Sequence, residues 1–107
     1  MTRGDLITVV VSGAHGKPRP AIVIQSDEVP SATVLVCLLT SDVVQVAPSR
    51  TFIQPTSTNG LRKPSLIQIE KIYPIPRSKC GPVFGRLGAG EPAELNLLLN
   101  FVLGLGD

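Results

Sequence analysis

Proline and glycine divide this chain into short segments, and that division is the strongest constraint on how it folds. Ten prolines and ten glycines occur among 107 residues, and most lie between runs of β-branched and apolar residues. Runs of this length and composition favour strands over helices. The predicted strands are residues 6–11, 21–25, 32–39 and 51–54, with a fifth over 65–70 that continues through 71–75. Pro74 and Pro76 restrict the end of that last strand to a sheet edge or a bend, because proline has no N–H to donate.

Only the last segment has helical periodicity. Its apolar residues recur at spacings of three and four, which places one stripe against a core. The stripe consists of Leu95, Leu98, Leu99, Val102 and Leu103. Pro92 suits the first turn of a helix over Glu91–Leu103, and Gly104 suits its end. Leu97 and Phe101 fall on another face, which indicates a partner surface, and we expect a homodimer. The alternative is a monomer with two half-buried apolar side chains.

Together these elements predict a mainly β fold, an SH3-like small β-barrel with a C-terminal α-helix. Residues 1–107 are expected to form one domain. The composition, 43% hydrophobic and 17% charged, is that of a globular protein. No apolar run reaches the ~18 residues that span a bilayer, and the first residues lack a signal peptide, so we expect a cytoplasmic protein without membrane contact. Cys37 and Cys80 are expected to be free thiols.

The sequence lacks the motifs of several kinds of catalytic and binding site. The sequence contains no P-loop, no GxGxxG and no HExxH. Its carboxylates are not spaced as a metal-binding pair on one strand face, which disfavours a two-metal nuclease. No serine lies in a nucleophile elbow. We therefore expect neither a cofactor nor a metal, and we look for chemistry that cations and hydroxyls support.

Cations cluster in the predicted loops. They are Lys17, Arg19, Arg50, Arg62, Lys63, Arg77, Lys79 and Arg86. Their plain interpretation is a solvated surface; the alternative is a cationic face that binds a polyanion, which the net charge of +2 permits. Arg19 stands between Pro18 and Pro20 at the start of an apolar strand, in the stretch GAHGKPRPAIVIQ. Thr40 and Ser41 directly follow the strand over 32–39.

These residue types suit RNA cleavage without a metal. RNA supplies its own nucleophile, the 2′-OH, so the protein needs a proton acceptor, a cation for the charge that develops on the phosphate, and a donor for the leaving 5′ oxygen. The planar guanidinium of Arg19 matches two phosphate oxygens at once. The hydroxyls of Thr40 and Ser41 can bond to a phosphate oxygen. His15 is the only histidine, and imidazole titrates near neutral pH.

The sequence resembles the MazF/PemK family of bacterial toxins. The resemblance rests on RGDLITVVV, KPRPAIVIQSDE, VLVCLLTSD, GLRKPSLIQIEKIYPIP and a late GRLG before a leucine-rich helix. It implies a dimeric SH3-like barrel that cuts single-stranded RNA without metal, leaving a 2′,3′-cyclic phosphate and a 5′-hydroxyl. The family's essential arginine and threonine fall on Arg19 and Thr40. The usual partner is an antitoxin whose acidic, disordered tail covers the RNA groove.

The remaining site predictions follow from positions where this chain matches the family pattern and from positions where it departs from it. Some members use an arginine and an aspartate where this chain has Gln68 and Glu70, and some use a histidine in the loop that holds His15. We expect His15 or Glu70 to carry the proton. The alternative for His15 is an exposed loop residue without a role, and the alternative for Glu70 is a salt bridge with a nearby Lys or Arg. For Thr40 the alternative is a strand-end cap.

We expect four residues to bind substrate: Lys17, Ser41, Gln68 and Arg50. The rival function is a toxin of the same fold that inhibits DNA gyrase by binding. Such toxins depend on a tryptophan near the C-terminus, and this chain has no tryptophan.

Overall fold

A computed structural model describes residues 1–11 and 16–106. In that part of the chain six strands precede one α-helix. The strands are β1 (Asp5–Val9), β2 (Arg19–Val23), β3 (Thr33–Thr40), β4 (Arg50–Ile53), β5 (Ser65–Pro76) and β6 (Cys80–Arg86), and the helix is α1 (Glu91–Leu103). A single 3₁₀ turn, Arg77–Lys79, joins β5 to β6.

All six strands belong to one sheet with the order β4-β5-β3-β2-β1-β6. Every neighbouring pair is antiparallel. Within the described residues β4 and β6 do not pair with each other, so the sheet is open rather than a hydrogen-bonded barrel. The loop after β4 bridges the two ends of the sheet, since the N–H of Arg86 donates to the carbonyl of Thr58 at 3.0 Å. The predicted class, mainly β with a C-terminal helix, is confirmed.

The central strands bury both of their faces, and this explains their continuous apolar sequences. Successive residues of β1, β2 and β3 enter two separate clusters. Leu6, Ile22 and Leu39 lie in the cluster beneath α1. Their neighbours Ile7 and Val23 lie in the cluster on the other face. The second cluster is formed by residues of β1, β2, β3 and β5, and Cys80 at the start of β6 packs against it.

Prolines occupy the unpaired edges of this sheet. Pro74 and Pro76 lie in the part of β5 that pairs only with β3, as predicted. Pro82 lies in β6, which pairs only with β1. We did not predict β6. Its sequence CGPVFGR contains two glycines and a proline, which have low strand propensity. Its pairing with β1 holds it in a strand.

Helix α1 begins at Glu91 and ends at Leu103, as predicted. Leu95 and Leu99 are buried, and the N–H of Leu105 caps the helix by donating to the carbonyl of Asn100 at 2.9 Å. The prediction that Leu103 belongs to the buried stripe is wrong, because its side chain is 52% exposed. It is the last residue of the helix, next to the cap at Gly104, and lies outside the apolar cluster against which α1 packs. No helix in the described part of the chain is long and apolar enough to span a membrane.

The two cysteines are free thiols, as expected. Cys37 lies in the core of the sheet, and burial raises the pKa of its thiol to about 12. A thiol with such a pKa is largely protonated at neutral pH and is therefore a poor nucleophile.

Candidate active site

A groove of about 590 Å³ opens where β2 starts, β3 ends and the loop between β4 and β5 crosses. Residues from these three segments, from β1 and β6 and from the start of β5 line it. They are Thr8, Pro18, Arg19, Pro20, Leu39, Thr40, Ser41, Gly60, Leu61, Arg62, Lys63, Ser65 and Phe84. A concave site of this volume is suited to hold part of a flexible ligand.

Strand register brings Arg19 and Thr40 to the same edge of the sheet. In the antiparallel pair of β2 and β3, Ala21 lies opposite Leu38. Continuing this register by two residues places Arg19, at the start of β2, opposite Thr40, at the end of β3. Both residues line the groove. Neighbouring β1 contributes Thr8, which lies opposite Pro20.

The groove is cationic. Arg19, Arg62 and Lys63 line it and all three residues are exposed. Among the residues that the structure describes, no carboxylate lines this groove. Cations in a cleft without acidic neighbours focus a positive potential, which favours a phosphate-bearing ligand. Arg19 also has proline on both sides, so its backbone is restricted and less entropy is lost when it binds.

Thr40 combines a structural bond with an available donor. Its Oγ1 accepts a hydrogen bond from the backbone N–H of Asp42 at 3.1 Å. This is the strand-end cap that we named as the alternative to a functional role. The bond uses the oxygen as an acceptor, however, and leaves the hydroxyl proton to donate. The cap therefore fixes the side chain at the groove while its O–H can still reach a ligand oxygen.

One buried amide holds the loop that carries Arg62 and Lys63. The side chain of Asn59 is 1% exposed. Its Oδ1 accepts from the N–H groups of Thr56 and Leu61, at 3.0 and 2.9 Å. Its Nδ2 donates to the carbonyl of Gln54 at 2.8 Å. The bonds tie both sides of the loop to a single point, so the two cations that follow Leu61 emerge from a fixed turn.

Two glycines let this loop lie directly on β6. Gly60 has a φ of +69°, and a Cβ there would collide with the carbonyl of Phe84. A Cβ on Gly85 would collide with the carbonyl of Asn59. Only glycine fits at these positions without moving backbone. The close approach forms one wall of the groove from the loop and Phe84.

Glu70 lies outside this groove and pairs with Arg50. Its carboxylate accepts from Arg50 Nη2 at 2.7 Å and from Ser49 Oγ at 2.8 Å. Partial burial acts to raise the pKa of Glu70, but the hydrogen bonds from Arg50 and Ser49 outweigh it and the pKa is lowered. A carboxylate with a lowered pKa is a weaker base. Arg50 also donates to the carbonyl of Gln45 at 2.9 Å, which fastens the loop between β3 and β4.

The structure brings three of the eight predicted site residues together. Arg19, Thr40 and Ser41 line the groove. Lys17 is exposed and directly precedes the groove-lining Pro18. His15 lies outside the described residues.

The other three predicted site residues lie along β4 and β5, away from the groove lining. Gln68 is half-buried in β5, opposite Arg50 of β4, and Glu70 follows two residues later. A proton-carrying role for Glu70 and substrate contacts from Gln68 and Arg50 stay predictions. The ion pair with Arg50 is the alternative that we gave for Glu70.

The sequence analysis did not assign every groove residue to the site. Arg62 and Lys63 were noted only as loop cations, and Phe84 was not assigned to the site. The adjacent cations after Asn59-Gly60 were the available signal, because neighbouring cations favour contact with an anion. Nothing in the local sequence of Phe84 indicates that it lines the groove. In the described part of the chain, no group of three or more His, Cys, Asp or Glu side chains could hold a metal ion.

We predict that Asn59→Ala destabilises the fold. The substitution leaves two N–H groups and one carbonyl of a partly buried turn without their side-chain partner, which costs about 1–3 kcal/mol in the free energy of unfolding. Urea denaturation measures this loss. Ser57→Ala, an exposed change in the same loop, is the control and should shift the free energy by no more than about 0.5 kcal/mol. Equal stability of Asn59→Ala and the unaltered chain would contradict the role given to the amide.

We predict that the ion pair of Glu70 stabilises the fold at neutral pH and not in acid. A carboxylate with a lowered folded-state pKa stabilises above its ordinary value of 4.5, and the contribution is lost as pH falls through the folded-state pKa. Glu70→Gln should therefore unfold at lower urea concentration than the unaltered chain at about pH 7, and this difference should shrink towards about pH 3. Glu28→Gln, an exposed change outside the pair, is the control. A difference independent of pH would show that the charge of Glu70 is not the cause.

Comparison with known proteins identifies the family. Residues 2–103 match the model of the PemK-like, MazF-like toxin of type II toxin-antitoxin systems. The chain is 35% identical to a protein of Mycolicibacterium smegmatis (strain ATCC 700084 / mc(2)155) named "Probable endoribonuclease MazF", over 98% of each chain.

Solved structures share the fold. One is an endoribonuclease in complex with its cognate antitoxin from Mycobacterial species, with a TM-score of 0.82, 16% identity and coverage of 100% of this chain and 98% of that chain. Another is the Mycobacterium tuberculosis toxin MazF-mt6, with a TM-score of 0.79, 20% identity and coverage of 94% and 96%. These matches confirm the resemblance inferred from sequence, including the endoribonuclease class: the chain belongs to the PemK-like, MazF-like toxin family.

Proposed function

We propose that this chain is a metal-independent, sequence-selective endoribonuclease toxin that cleaves single-stranded mRNA. The observation that carries the proposal is that Arg19 and Thr40 line one cationic groove, which no carboxylate among the described residues enters. The curated relative named as a probable endoribonuclease, at 35% identity, supports the same reaction class.

The proposed reaction is an internal transesterification. The 2′ oxygen of one nucleotide attacks the adjacent phosphorus, and the bond from phosphorus to the 5′ oxygen of the next nucleotide breaks. The 2′ oxygen loses its proton and the leaving 5′ oxygen gains one, so the products carry a 2′,3′-cyclic phosphate and a 5′-hydroxyl. Negative charge increases on the non-bridging phosphate oxygens as the bond to the 2′ oxygen forms.

Arg19 is proposed to stabilise that charge. Its guanidinium donates two parallel N–H groups to phosphate oxygens, and such charge-assisted bonds strengthen as the charge increases. Thr40 is proposed to orient the same phosphate through its hydroxyl proton, while the bond from Asp42 holds its oxygen in place. Ser41 lies beside it in the groove and provides a second hydroxyl.

Proton transfer is assigned to His15. Imidazole is suited to accept and return a proton near neutral pH, and His15 precedes the groove-lining Pro18 by three residues. Glu70 is less suited because it lies outside the groove lining and its pKa is lowered. Lys17, Arg62 and Lys63 are proposed to bind flanking phosphates, which accounts for the charge along the groove.

A cognate antitoxin is the proposed protein partner. The solved endoribonuclease of similar fold is described as a complex with its cognate antitoxin. A flexible acidic segment has the charge to occupy a groove lined by Arg19, Arg62 and Lys63, and it would compete there with RNA.

A homodimer is the proposed assembly. Leu97 and Phe101 lie one turn apart on α1 and are 70% and 64% exposed, and Leu105, just beyond the end of the helix, is 69% exposed. An apolar stripe of this kind is costly to leave in water, and burial against a second copy removes it.

We predict that Arg19→Ala lowers the rate of RNA cleavage about 10²–10³-fold while the fold remains intact. The measurement is cleavage of a single-stranded RNA in EDTA, with the ends of the products mapped. Lys79→Ala removes an exposed cation outside the groove and is the matched control, with a rate near that of the unaltered chain. A rate for Arg19→Ala close to that of the control would end the assignment.

We predict that Phe101→Ser weakens self-association without unfolding the chain. The residue is 64% exposed in one copy, so its replacement removes little intramolecular packing. Sedimentation equilibrium should give a dimer for the unaltered chain and a higher dissociation constant for the variant. Val44→Ser, at an 82% exposed apolar residue of the loop after β3, is the control. A monomer at all concentrations would contradict the proposed assembly.

A further inference from the structure

Phe84 has an unusual position for an aromatic residue of this chain. The chain contains three phenylalanines, one tyrosine and no tryptophan. Among the residues that the structure describes, Phe84 is the only one of these aromatic side chains that lines the groove. It shares the groove with Arg62 and Lys63.

The ring of Phe84 faces two environments. It is half-buried and packs against the cluster of apolar side chains beneath α1. The same residue belongs to the groove lining. One part of the residue is therefore anchored in the core, while another part is available to a ligand.

The wall that carries the ring is also fixed. A Cβ built on Gly60 would lie 3.1 Å from Cδ1 of Phe84, so the ring rests directly on the loop backbone. That backbone is tied down by the buried amide of Asn59 and by the bond from the N–H of Arg86 to the carbonyl of Thr58. A ring held from two sides loses little entropy when a ligand stacks on it.

We propose that Phe84 is a stacking platform for one unpaired base of the RNA, with Arg62 and Lys63 bound to the adjoining phosphates. This inference rests on the proposed endoribonuclease function. Proteins that bind single strands combine cationic grooves with aromatic side chains on which bases stack. A base within a duplex already has stacking neighbours on both faces, so the platform selects single-stranded RNA.

The competing explanation is that Phe84 only closes the core. Substitutions distinguish the two roles, because core packing depends on apolar volume and base stacking depends on the flat π-face. Phe84→Leu keeps most of the volume and loses the π-face. Phe84→Tyr keeps both and serves as the conservative rescue.

The first experiment measures affinity for a single-stranded RNA whose cleaved nucleotide carries 2′-deoxyribose, so that no reaction occurs. Loss of base–aromatic stacking corresponds to about a 5- to 150-fold rise in Kd. We expect Phe84→Leu to show a rise in this range and Phe84→Tyr to bind like the unaltered chain. Equal affinity of all three proteins would overturn the inference.

The second experiment identifies the stacked base. An abasic nucleotide is placed at each position of the oligonucleotide in turn. We expect one position at which the abasic change weakens binding to the unaltered chain and has a much smaller effect on Phe84→Leu. If every abasic change affects both proteins equally, Phe84 contacts no base and the inference is wrong.

A third measurement does not depend on the leucine variant folding well. Because the chain has no tryptophan, Phe84→Trp introduces a single fluorescent probe. We expect RNA to quench its fluorescence, and Phe52→Trp, whose site on β4 lies outside the groove lining, to remain unquenched. Equal quenching of both variants, or of neither, would contradict stacking at Phe84.

The outcomes also separate this inference from the proposed function. If the unaltered chain does not cleave RNA in EDTA, the proposed function fails and takes the inference with it. If the unaltered chain cleaves RNA while Phe84→Leu binds RNA as tightly and no abasic position distinguishes the two proteins, only the stacking role is lost.

Discussion

The pairing of β2 between β1 and β3 is the constraint on which the groove depends. These strands bury both faces, with Ile22 in one cluster and its neighbour Val23 in the other. A slip of one residue would exchange the two sets of side chains across the sheet, so the packing fixes the register. The fixed register then decides which strand ends meet. Arg19 and Thr40 share an edge because the apolar residues that follow or precede them are paired in the core.

Charge is distributed in this molecule so that the groove stays positive. The net charge of +2 does not reveal this, because it does not show that the ion pair found among the described residues lies outside the groove. Arg50 of β4 and Glu70 of β5 form this pair, with 2.7 Å between Nη2 and Oε2. Arg19 and the cations of the loop after β4 lie in a groove that no described carboxylate enters. The loop itself is rigid, since Asn59 ties it down, and this agrees with functional residues standing on loops that a scaffold positions.

Much of the fold could be predicted from the sequence. Helix α1 has the predicted bounds because its apolar spacing, Pro92 and Gly104 agree with one another. Strands β1 to β5 were predicted because each is a continuous apolar or alternating run. Strand β6 was missed, since its two glycines and proline have low strand propensity and its order comes from pairing with β1. Leu103 was wrongly placed in the core, because periodicity gives the face of a helix but not the extent of the surface that covers it.

The sequence by itself determined the class of the fold, the family and three residues that line the groove, Arg19, Thr40 and Ser41. These can be predicted from patterns within short segments, without knowing which distant segments are in contact. Only the tertiary structure decided that Glu70 is held by Arg50 outside the groove and that Phe84 lines it together with Arg62. These are contacts between segments far apart in the chain, and no periodicity or motif within either segment encodes them. The physical reason is that the path of the folded sheet in space sets which strand ends and loops share a surface.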